Sequence, residues 1–265
     1  MRLVQRLAIL PAALALSGAA ADAATLKADY TITLEGLSLG NAAFDGTFDD
    51  SRYDMKLSGQ LTGLIGAFSG SARGSAAARG AVSGSRLASG GFSASARAGL
   101  GERTVQVGIA NGNVTQVEIN PPFEAQGERV PLTEGSMRGI TDPLSGIVGL
   151  VQNAAKPTAA ENCNRTIPVF DGTQRFNVVL GGGDTRIVRR PGGYTGPVLV
   201  CSIRYVPVAG HRTDRESVKF MQDNRDMSVW LAPVEGTRVL VPLRISVKTM
   251  LGTSIVEAAT WKVAK

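Results

Sequence analysis

The chain has 265 residues, with 28 Lys and Arg against 22 Asp and Glu, so its formal net charge is +6. A hydrophobic share of 43% and a charged share of 19% argue against an intrinsically disordered chain. Aromatic residues make up only 5%, while glycine occurs 32 times. This composition favours thin strands of small residues and argues against a platform that stacks nucleic-acid bases, so no nucleic-acid partner is expected.

The first 23 residues have the features of a secretory signal peptide. Arg2 and Arg6 form the positive region, an apolar run follows over 7–16, and Ala21-Asp22-Ala23 fits the A-x-A cleavage pattern. The apolar run is much shorter than the ~20 residues of a membrane-spanning helix. We therefore expect residues 1–23 to be removed on export and residues 24–265 to form one domain with no transmembrane segment.

Strict alternation of apolar and polar residues begins directly after this segment. From Leu26 to Leu34 every second residue is apolar, with charged and threonine side chains between them. The same period of two recurs over 42–48 and 53–61. Short spacers join these segments, which predicts half-buried strands in an antiparallel meander.

From Gly63 to Gly101 the sequence consists largely of Gly, Ala and Ser. If this segment is extended, small positions from Phe68 to Ala78 share one face. Such residues either allow another element to pack closely or leave an internal cavity, and close packing is the simpler interpretation. Strands over 104–109 and 113–120 then flank Asn111-Gly112, the strongest hairpin signal in the chain.

Asp142-Pro143 is a helix-start signal, with Asp as the N-cap and Pro at the first helical position. Apolar residues follow at helical spacing: Leu144, Ile147, Val148 and Val151. The sequence therefore predicts one amphipathic helix from Asp142 to Ala155 that covers an open face of the sheet. A membrane-binding role is less favoured because its polar face has no basic cluster.

The second half returns to strand patterns. Alternation is seen over 176–180, 185–190, 227–231, 239–247 and 255–263, with a Gly181-Gly182-Gly183-Asp184 turn after the first. The stretch 198–206 is apolar on both faces, which predicts a strand covered on both sides. One domain of about a dozen strands and one helix accounts for the whole pattern. Trp230 and Trp261 are predicted to be buried anchors, because large aromatic side chains contribute most to burial energy.

Cys163 and Cys201 are the only two cysteines. An even count in an exported chain is most simply explained by one disulfide, because that compartment is oxidising. A redox pair or a metal site is less favoured, since there is no C-x-x-C and His211 is the only histidine. No metal or other cofactor is expected.

No catalytic constellation is found, so an enzyme has no positive support. His211 has the pattern of a loop residue just past a strand end, and no G-x-S-x-G elbow occurs. Arg189-Arg190 is interpreted as a strand end and loop, although two adjacent Arg could meet an anionic headgroup. Four acidic residues alternate with cations in a segment that we interpret as charge-balanced and solvated: Asp214, Glu216, Asp223 and Asp226.

Motifs of the second half resemble a proteobacterial exported family, domain of unknown function 3108. They are Asp142-Pro143-Leu144-Ser145, Cys163 before Pro168-Val169-Phe170-Asp171-Gly172 and Arg175-Phe176, Val200-Cys201 with Arg204-Tyr205, Pro207 and Ala209-Gly210-His211, Val229-Trp230-Leu231, and Val241-Pro242-Leu243-Arg244. The resemblance implies a periplasmic, mainly antiparallel β protein but supplies no activity and no catalytic residues. In architecture and its Cys pair the chain is also similar to the periplasmic envelope-integrity proteins of alphaproteobacteria, which have a β-spiral fold.

These observations lead to two functional hypotheses. The first is a non-enzymatic periplasmic protein that supports cell-envelope integrity. Its predicted fold is a single large antiparallel sheet that is curled into a β-spiral or incomplete barrel. The concave apolar surface of this sheet would bind a lipid or lipoprotein acyl chain, or an envelope partner. The second is a ligand-free module that docks a periplasmic protein through exposed strand edges or loops. The residues that would contact a ligand stay unassigned at this stage.

Overall fold

The computed structural model describes residues 23–62, 72–84, 86–99, 101–124, 127–151 and 153–265. The predicted signal peptide falls almost entirely on residues 1–22, which lie outside the described residues. The same holds for residues 63–71, and therefore for Phe68 in the small-residue segment.

The described chain is mainly β-structure. The strands are β1 (Ala24–Leu34), β2 (Leu37–Phe48), β3 (Arg52–Leu61), β4 (Ala72–Ser83), β5 (Arg86–Ala98), β6 (Gly101–Ala110), β7 (Asn113–Asn120), β8 (Gly149–Leu150), β9 (Arg165–Phe170), β10 (Arg175–Arg189), β11 (Thr195–Ala209), β12 (Met227–Pro233), β13 (Val239–Thr249), β14 (Gly252–Ala258) and β15 (Lys262–Ala264). Two α-helices are present in this part of the chain, α1 (Pro143–Gly146) and α2 (Glu216–Asp223), with 3-10 turns at Gly135–Met137 and Ala160–Cys163.

All the strands belong to one antiparallel sheet, in the order β7-β6-β5-β4-β3-β2-β1-β14-β13-β12-β11-β10-β9. β15 also pairs with β1, and β8 pairs with β13. The first strand therefore lies in the middle of the sheet, where Tyr30 pairs with Ala42 on one side and Ala258 on the other. The predicted fold class, a single large antiparallel sheet that does not close, is confirmed, with fifteen strands instead of about a dozen.

Residues 138–141, which we call the strap, connect the two edges of the sheet. Arg138 forms a β-bridge with Asn113 at the start of β7, and Thr141 forms one with Val169 in β9. The Thr141 N–H donates to the Pro168 carbonyl at 2.7 Å. Because one short segment contacts both edges, the sheet must curl until its ends approach each other, as in an incomplete barrel.

The main hydrophobic core occupies the inner face of the curled sheet. It contains side chains from both ends of the strand order, including Leu26 and Met55 from the first strands and Val198 from β11, all of which are fully buried. Leu144 of α1 packs into the same core. The short helix thus packs on the inner face of the sheet, in line with the prediction that this segment covers an open face.

A second core lies on the opposite face of the C-terminal strands. Along β11, Val198 belongs to the main core while Leu199 and Cys201 belong to the second one. Val151 and Cys163 also belong to this second core, and both come from the segment between β8 and β9 that crosses this face of the sheet. The prediction of a strand buried on both faces over 198–206 is therefore confirmed at residues 198–201, while residues 202–206 are partly buried or exposed.

The helix predicted from Asp142 to Ala155 begins where expected but ends after one turn. Asp142 is the N-cap, and its side chain accepts from the Ser145 N–H at 2.8 Å. The chain then turns, and β8 pairs with Leu240 and Val239 of β13. Gly146 and Gly149 are poor helix formers, and strand pairing satisfies the backbone that a longer helix would have bonded internally. The predicted extent was therefore wrong.

The charge-balanced segment after His211 contains α2, which the sequence analysis did not predict as a helix. No residue of α2 is fully buried, so its solvated character is as expected although its conformation is not. No helix in the part of the chain that the structure describes is both long and apolar enough to cross a membrane.

The prediction that Trp230 and Trp261 are buried anchors was wrong. Both are only partly buried and pack against the edge of the main core. The guanidinium carbons of Arg186 and Arg244 lie 5.4 and 5.5 Å from the Trp230 ring centroid. Cation–π contacts with long, solvated side chains therefore cover part of an indole ring that the core does not enclose.

Candidate functional site

A groove of about 630 Å³ crosses the strands β1 to β6. It is centred on a cross-strand row whose register is fixed by the pairing of each strand with the next. We call this the middle row, and its members are Ala28, Phe44, Leu57, Ala76, Ala94 and Val105. Directly paired residues point to the same face, so these six apolar side chains form one continuous apolar surface.

The groove exists because the middle row combines large and small residues. Ala28 and Phe44 are buried in the main core, while Leu57, Ala76 and Ala94 pack against it and stay partly exposed. An alanine leaves unfilled volume where a leucine or phenylalanine would reach across the curled sheet. Only four apolar side chains of the middle row are therefore partly exposed: Leu57, Ala76, Ala94 and Val105.

The row next to it, on the side of the strap, is filled. Met55, Ala78 and Phe92 are directly paired and are buried, with Leu26 and Val107 buried in the same row. Here an alanine is enclosed between two large side chains, so it permits close packing. Ala78 is thus closely packed, as the simpler interpretation of the small-residue segment predicted, whereas Ala76, two residues away on the same face, is only partly buried and lines a groove instead of an internal cavity.

A second cavity of about 660 Å³ adjoins the groove on the other side and shares Ser58 and Ser75 with it. Its wall includes Gly59 and Gly74, which contribute no side chains. Tyr30 also lines it and donates a hydrogen bond from its hydroxyl to the Pro242 carbonyl at 2.7 Å. Burial raises the pKa of Tyr30, so the phenol stays protonated and remains a donor at neutral pH.

Polar side chains border the apolar row. Lys27 pairs with Asp45 at 3.5 Å, and Lys56 lies on the same border. Arg97 and Glu102, at 2.6 Å, border the adjoining cavity. Because successive residues of a strand point to opposite faces of a sheet, Lys27, Asp45 and Lys56 lie on the face opposite the middle-row side chains.

Sequence reasoning missed a buried polar cluster beside the strap. Asp142 is fully buried and accepts from the Ser89 hydroxyl at 2.6 Å, as well as from the Ser145 N–H. The Tyr53 and Ser145 hydroxyls are 2.7 Å apart, and Ser89 also bonds to Thr141 at 2.8 Å. The only sequence signal was the helix start at Asp142. The contacts of the cluster tie α1 and the strap to β3 and β5.

His211 lies in the loop just after β11, as predicted. Its Nδ1 is buried and has no hydrogen-bond partner among the described residues. Two of the four acidic residues in the segment that follows it form ion pairs: Asp214 with Arg212 at 2.6 Å, and Asp226 with Lys248 at 3.4 Å. No group of three or more His, Cys, Asp or Glu that could hold a metal ion occurs in the part of the chain that is described.

The prediction of a turn at Gly181-Gly182-Gly183 was wrong, because β10 continues through these residues. The pairing with β11 shifts register between Gly181 and Asp184, which marks a bulge. Gly183 has a φ of 131° and touches Ala160 so closely that a side chain would overlap it. The glycines thus accommodate the 3-10 turn that crosses this face. Arg189 ends β10 as predicted, and Arg190 beyond it forms an ion pair with Glu257.

Cys163 and Cys201 form a disulfide, as predicted, with their Cα atoms 5.5 Å apart. Both cysteines are fully buried in the second core. The bond connects the 3-10 turn before β9 to the centre of β11. The disulfide therefore fixes the segment between β8 and β9 against the outer face of the C-terminal strands.

Comparison with known proteins identifies the family but no activity. Searches of curated proteins and of solved structures found no match to this chain. A family model described as "Protein of unknown function (DUF3108)" matches residues 29–259, which include most of the groove, the strap and both cysteines. The chain therefore belongs to this family of proteins of unknown function.

Proposed function

We propose that this protein is a non-enzymatic periplasmic protein that supports the cell envelope by binding a lipid or lipoprotein acyl chain in the groove across β1 to β6. The observation that carries the proposal is the groove itself, a space of about 630 Å³ whose lining includes four partly exposed apolar side chains, Leu57, Ala76, Ala94 and Val105. This volume lies within the range of about 300–1,000 Å³ typical of small-molecule sites.

Two observations support the periplasmic location. The N-terminal residues have the pattern of a signal peptide with an A-x-A site before Ala24. The buried Cys163–Cys201 disulfide is typical of proteins that fold in an oxidising compartment.

The apolar chain of a lipid matches the chemistry of the middle row. Each methylene transferred from water to an apolar wall contributes about 0.8 kcal/mol, so a long acyl chain gains affinity from length alone. No covalent chemistry is needed for such a function.

The test is native mass spectrometry, followed by organic extraction, of protein purified from the periplasm without detergent. We expect the wild-type protein to carry a stoichiometric lipid adduct. Ala76→Trp places an indole in the middle row and should remove the adduct. Ala81→Trp is the matched control, because Ala81 is exposed on the opposite face of the same strand and lines neither cavity.

Loss of the adduct in Ala76→Trp but not in Ala81→Trp would support the groove as the lipid site. A wild-type protein with no adduct, or equal adducts in both variants, would contradict it. The melting temperature of each variant and a mass two hydrogens below the reduced value establish that both variants are folded and disulfide-bonded.

A second candidate function is docking of a periplasmic protein by strand addition at β7. β7 is the last strand in the sheet order, and beyond its pairing with β6 it bonds to the strap only at Asn113. Val117 in this strand is 37% exposed. An edge strand with free backbone groups can accept a strand from another chain.

A photo-crosslinker at position 117 separates the two functions. One dominant crosslinked protein, together with wild-type protein free of lipid, would favour docking at β7. Crosslinks absent at 117, together with a lipid adduct that Ala76→Trp removes, would favour lipid binding.

A further inference from the structure

A third cavity, of about 1060 Å³, lies at the end of the curled sheet that contains the strap. It is bordered by the hairpin ends of β4–β5 and β6–β7, by the strap, and by the segment that leads into β9. It shares no lining residue with the groove across β1 to β6. The filled row of Met55, Ala78 and Phe92 lies on the strap side of the groove, so the two spaces are separate sites.

Arg165, the first residue of β9, lines this cavity. Its Nε is buried and has no hydrogen-bond partner, and no salt bridge in the described part of the chain includes it. Its guanidinium lies against Gly149, where a side chain would overlap it. Burial lowers the pKa of Arg165 from its ordinary value, which reflects the cost of removing this charge from water.

Other arginines in similar surroundings are paired. Arg129 donates from Nη1 to the Gly210 carbonyl at 2.5 Å and lies over the Phe123 ring. Arg175 donates to the Phe176 carbonyl at 2.6 Å and to Asn177 Oδ1 at 2.8 Å. A mostly buried guanidinium has five N–H donors and is costly to leave unpaired. The Nε of Arg129 is also buried without a partner, but its Nη1 is bonded, whereas no nitrogen of Arg165 has a hydrogen bond or ion pair within the described residues. Arg165 is the exception, and it calls for an anionic partner.

The rest of the cavity wall suits an anion. Two further cationic side chains, Arg86 and Lys156, line it against one acidic side chain, Glu161. Hydroxyl and amide donors are also present, among them Thr166 and Asn164. Arg is the residue best suited to bind phosphate or carboxylate oxygens with two parallel hydrogen bonds.

We propose that this cavity is a second ligand site, in which Arg165 binds the oxyanion of a phosphate group. The group is either free phosphate or the headgroup of a phospholipid, and both present the same tetrahedral oxygens to the guanidinium. The proposal does not depend on the lipid-binding function, because Arg165 lies outside the groove.

The experiment measures the melting temperature of the mature protein with inorganic phosphate or with short-chain phosphatidylglycerol below its micelle concentration. Sodium chloride at equal ionic strength controls for charge screening. Binding to the folded state should raise the melting temperature by about 2 °C or more once the ligand exceeds several times its Kd. Arg165→Met should abolish this shift, and without ligand its melting temperature should equal or exceed that of wild type, because an unpaired buried charge is gone.

Arg189→Met is the matched control, since Arg189 is exposed and lies outside the cavity. Arg165→Lys keeps the positive charge but lacks the planar guanidinium, so it should bind phosphate more weakly. This variant preserves the test if Arg165→Met does not fold. A shift with phosphate that only the Arg165 variants lose supports a site for free phosphate. A shift with phosphatidylglycerol alone, lost in the same variants, supports the lipid headgroup. No shift with either ligand, or an equal shift in Arg165→Met, would overturn the proposal.

Discussion

The two halves of the sheet use the same strand pairing but are filled differently. In β1 to β7 only the inner face carries a core, and small residues such as Ala76 and Ala94 leave the groove along it. In β9 to β13 both faces are covered, the outer one by large aliphatic side chains and a disulfide. The comparison teaches that regular pairing sets the position of each side chain, while the side-chain volume decides whether a face becomes a core or a binding surface.

The largest expected effect on stability is in the C-terminal half of the sheet, where both faces are covered. The double variant Cys163→Ser, Cys201→Ser removes a bond that closes a loop with a sequence separation of 38. We expect the free energy of unfolding to fall by about 4 kcal/mol in the chain-entropy model, and the melting temperature by several degrees. Hydrogen exchange should increase in residues 151–163 and β11 while the strands around the groove change little.

Dithiothreitol provides the control for the disulfide variant. It should lower the melting temperature of wild type towards that of the double variant and leave the variant unchanged. Loss of protection spread evenly over both halves would contradict the distinction between them.

Leucine truncations compare the two halves directly. Leu231 is 1% exposed in the second core, so Leu231→Ala should cost about 2–5 kcal/mol in stability. Leu57 borders the groove and is only partly buried, so Leu57→Ala should cost roughly 1 kcal/mol. Urea unfolding of both variants measures the two values, and equal costs would mean that the groove side is as tightly packed as the second core.

The smallest expected effects on stability come from substitutions of two alanines on the same face of β4, Ala76 and Ala78. Ala78 is enclosed by Met55 and Phe92, so Ala78→Leu should overpack the filled row and cost about 1–3 kcal/mol. Ala76→Leu adds the same atoms next to the groove and should change stability by less than about 0.5 kcal/mol. Thermal unfolding distinguishes the two, and a comparable loss in Ala76→Leu would argue against open space at the middle row.

Much of the fold could be predicted because its signals are local. Alternation over Leu26 to Leu34 identified β1, and Asn111-Gly112 identified the β6–β7 turn, where both residues have positive φ angles. The apolar stretch over 198–206 indicated burial on both faces. Each of these features depends on neighbours within a few residues along the chain, so the sequence displays it directly.

The remainder depends on contacts between distant segments. Val148 and Val151 are buried at the predicted spacing, but Val148 lies in the bend after α1 and Val151 directly follows β8, whose pairing with β13 replaces the helix. The open space beside Ala76 depends on how far the sheet curls. The unpaired Arg165 is likewise visible only when the strap, Gly149 and β9 are brought together, since nothing in its local sequence differs from a solvated arginine.

The central position of β1 has a consequence for the order of folding. Its first partner, β2, follows directly in the chain, but the contact between Asp29 and Thr260 joins residues 231 positions apart. The hairpins from β1 to β7 can form early, whereas the second edge of β1 stays unpaired until β14 and β15 are available. We therefore expect slow, late completion of the sheet, with an exposed strand edge that is prone to wrong pairing in the meantime.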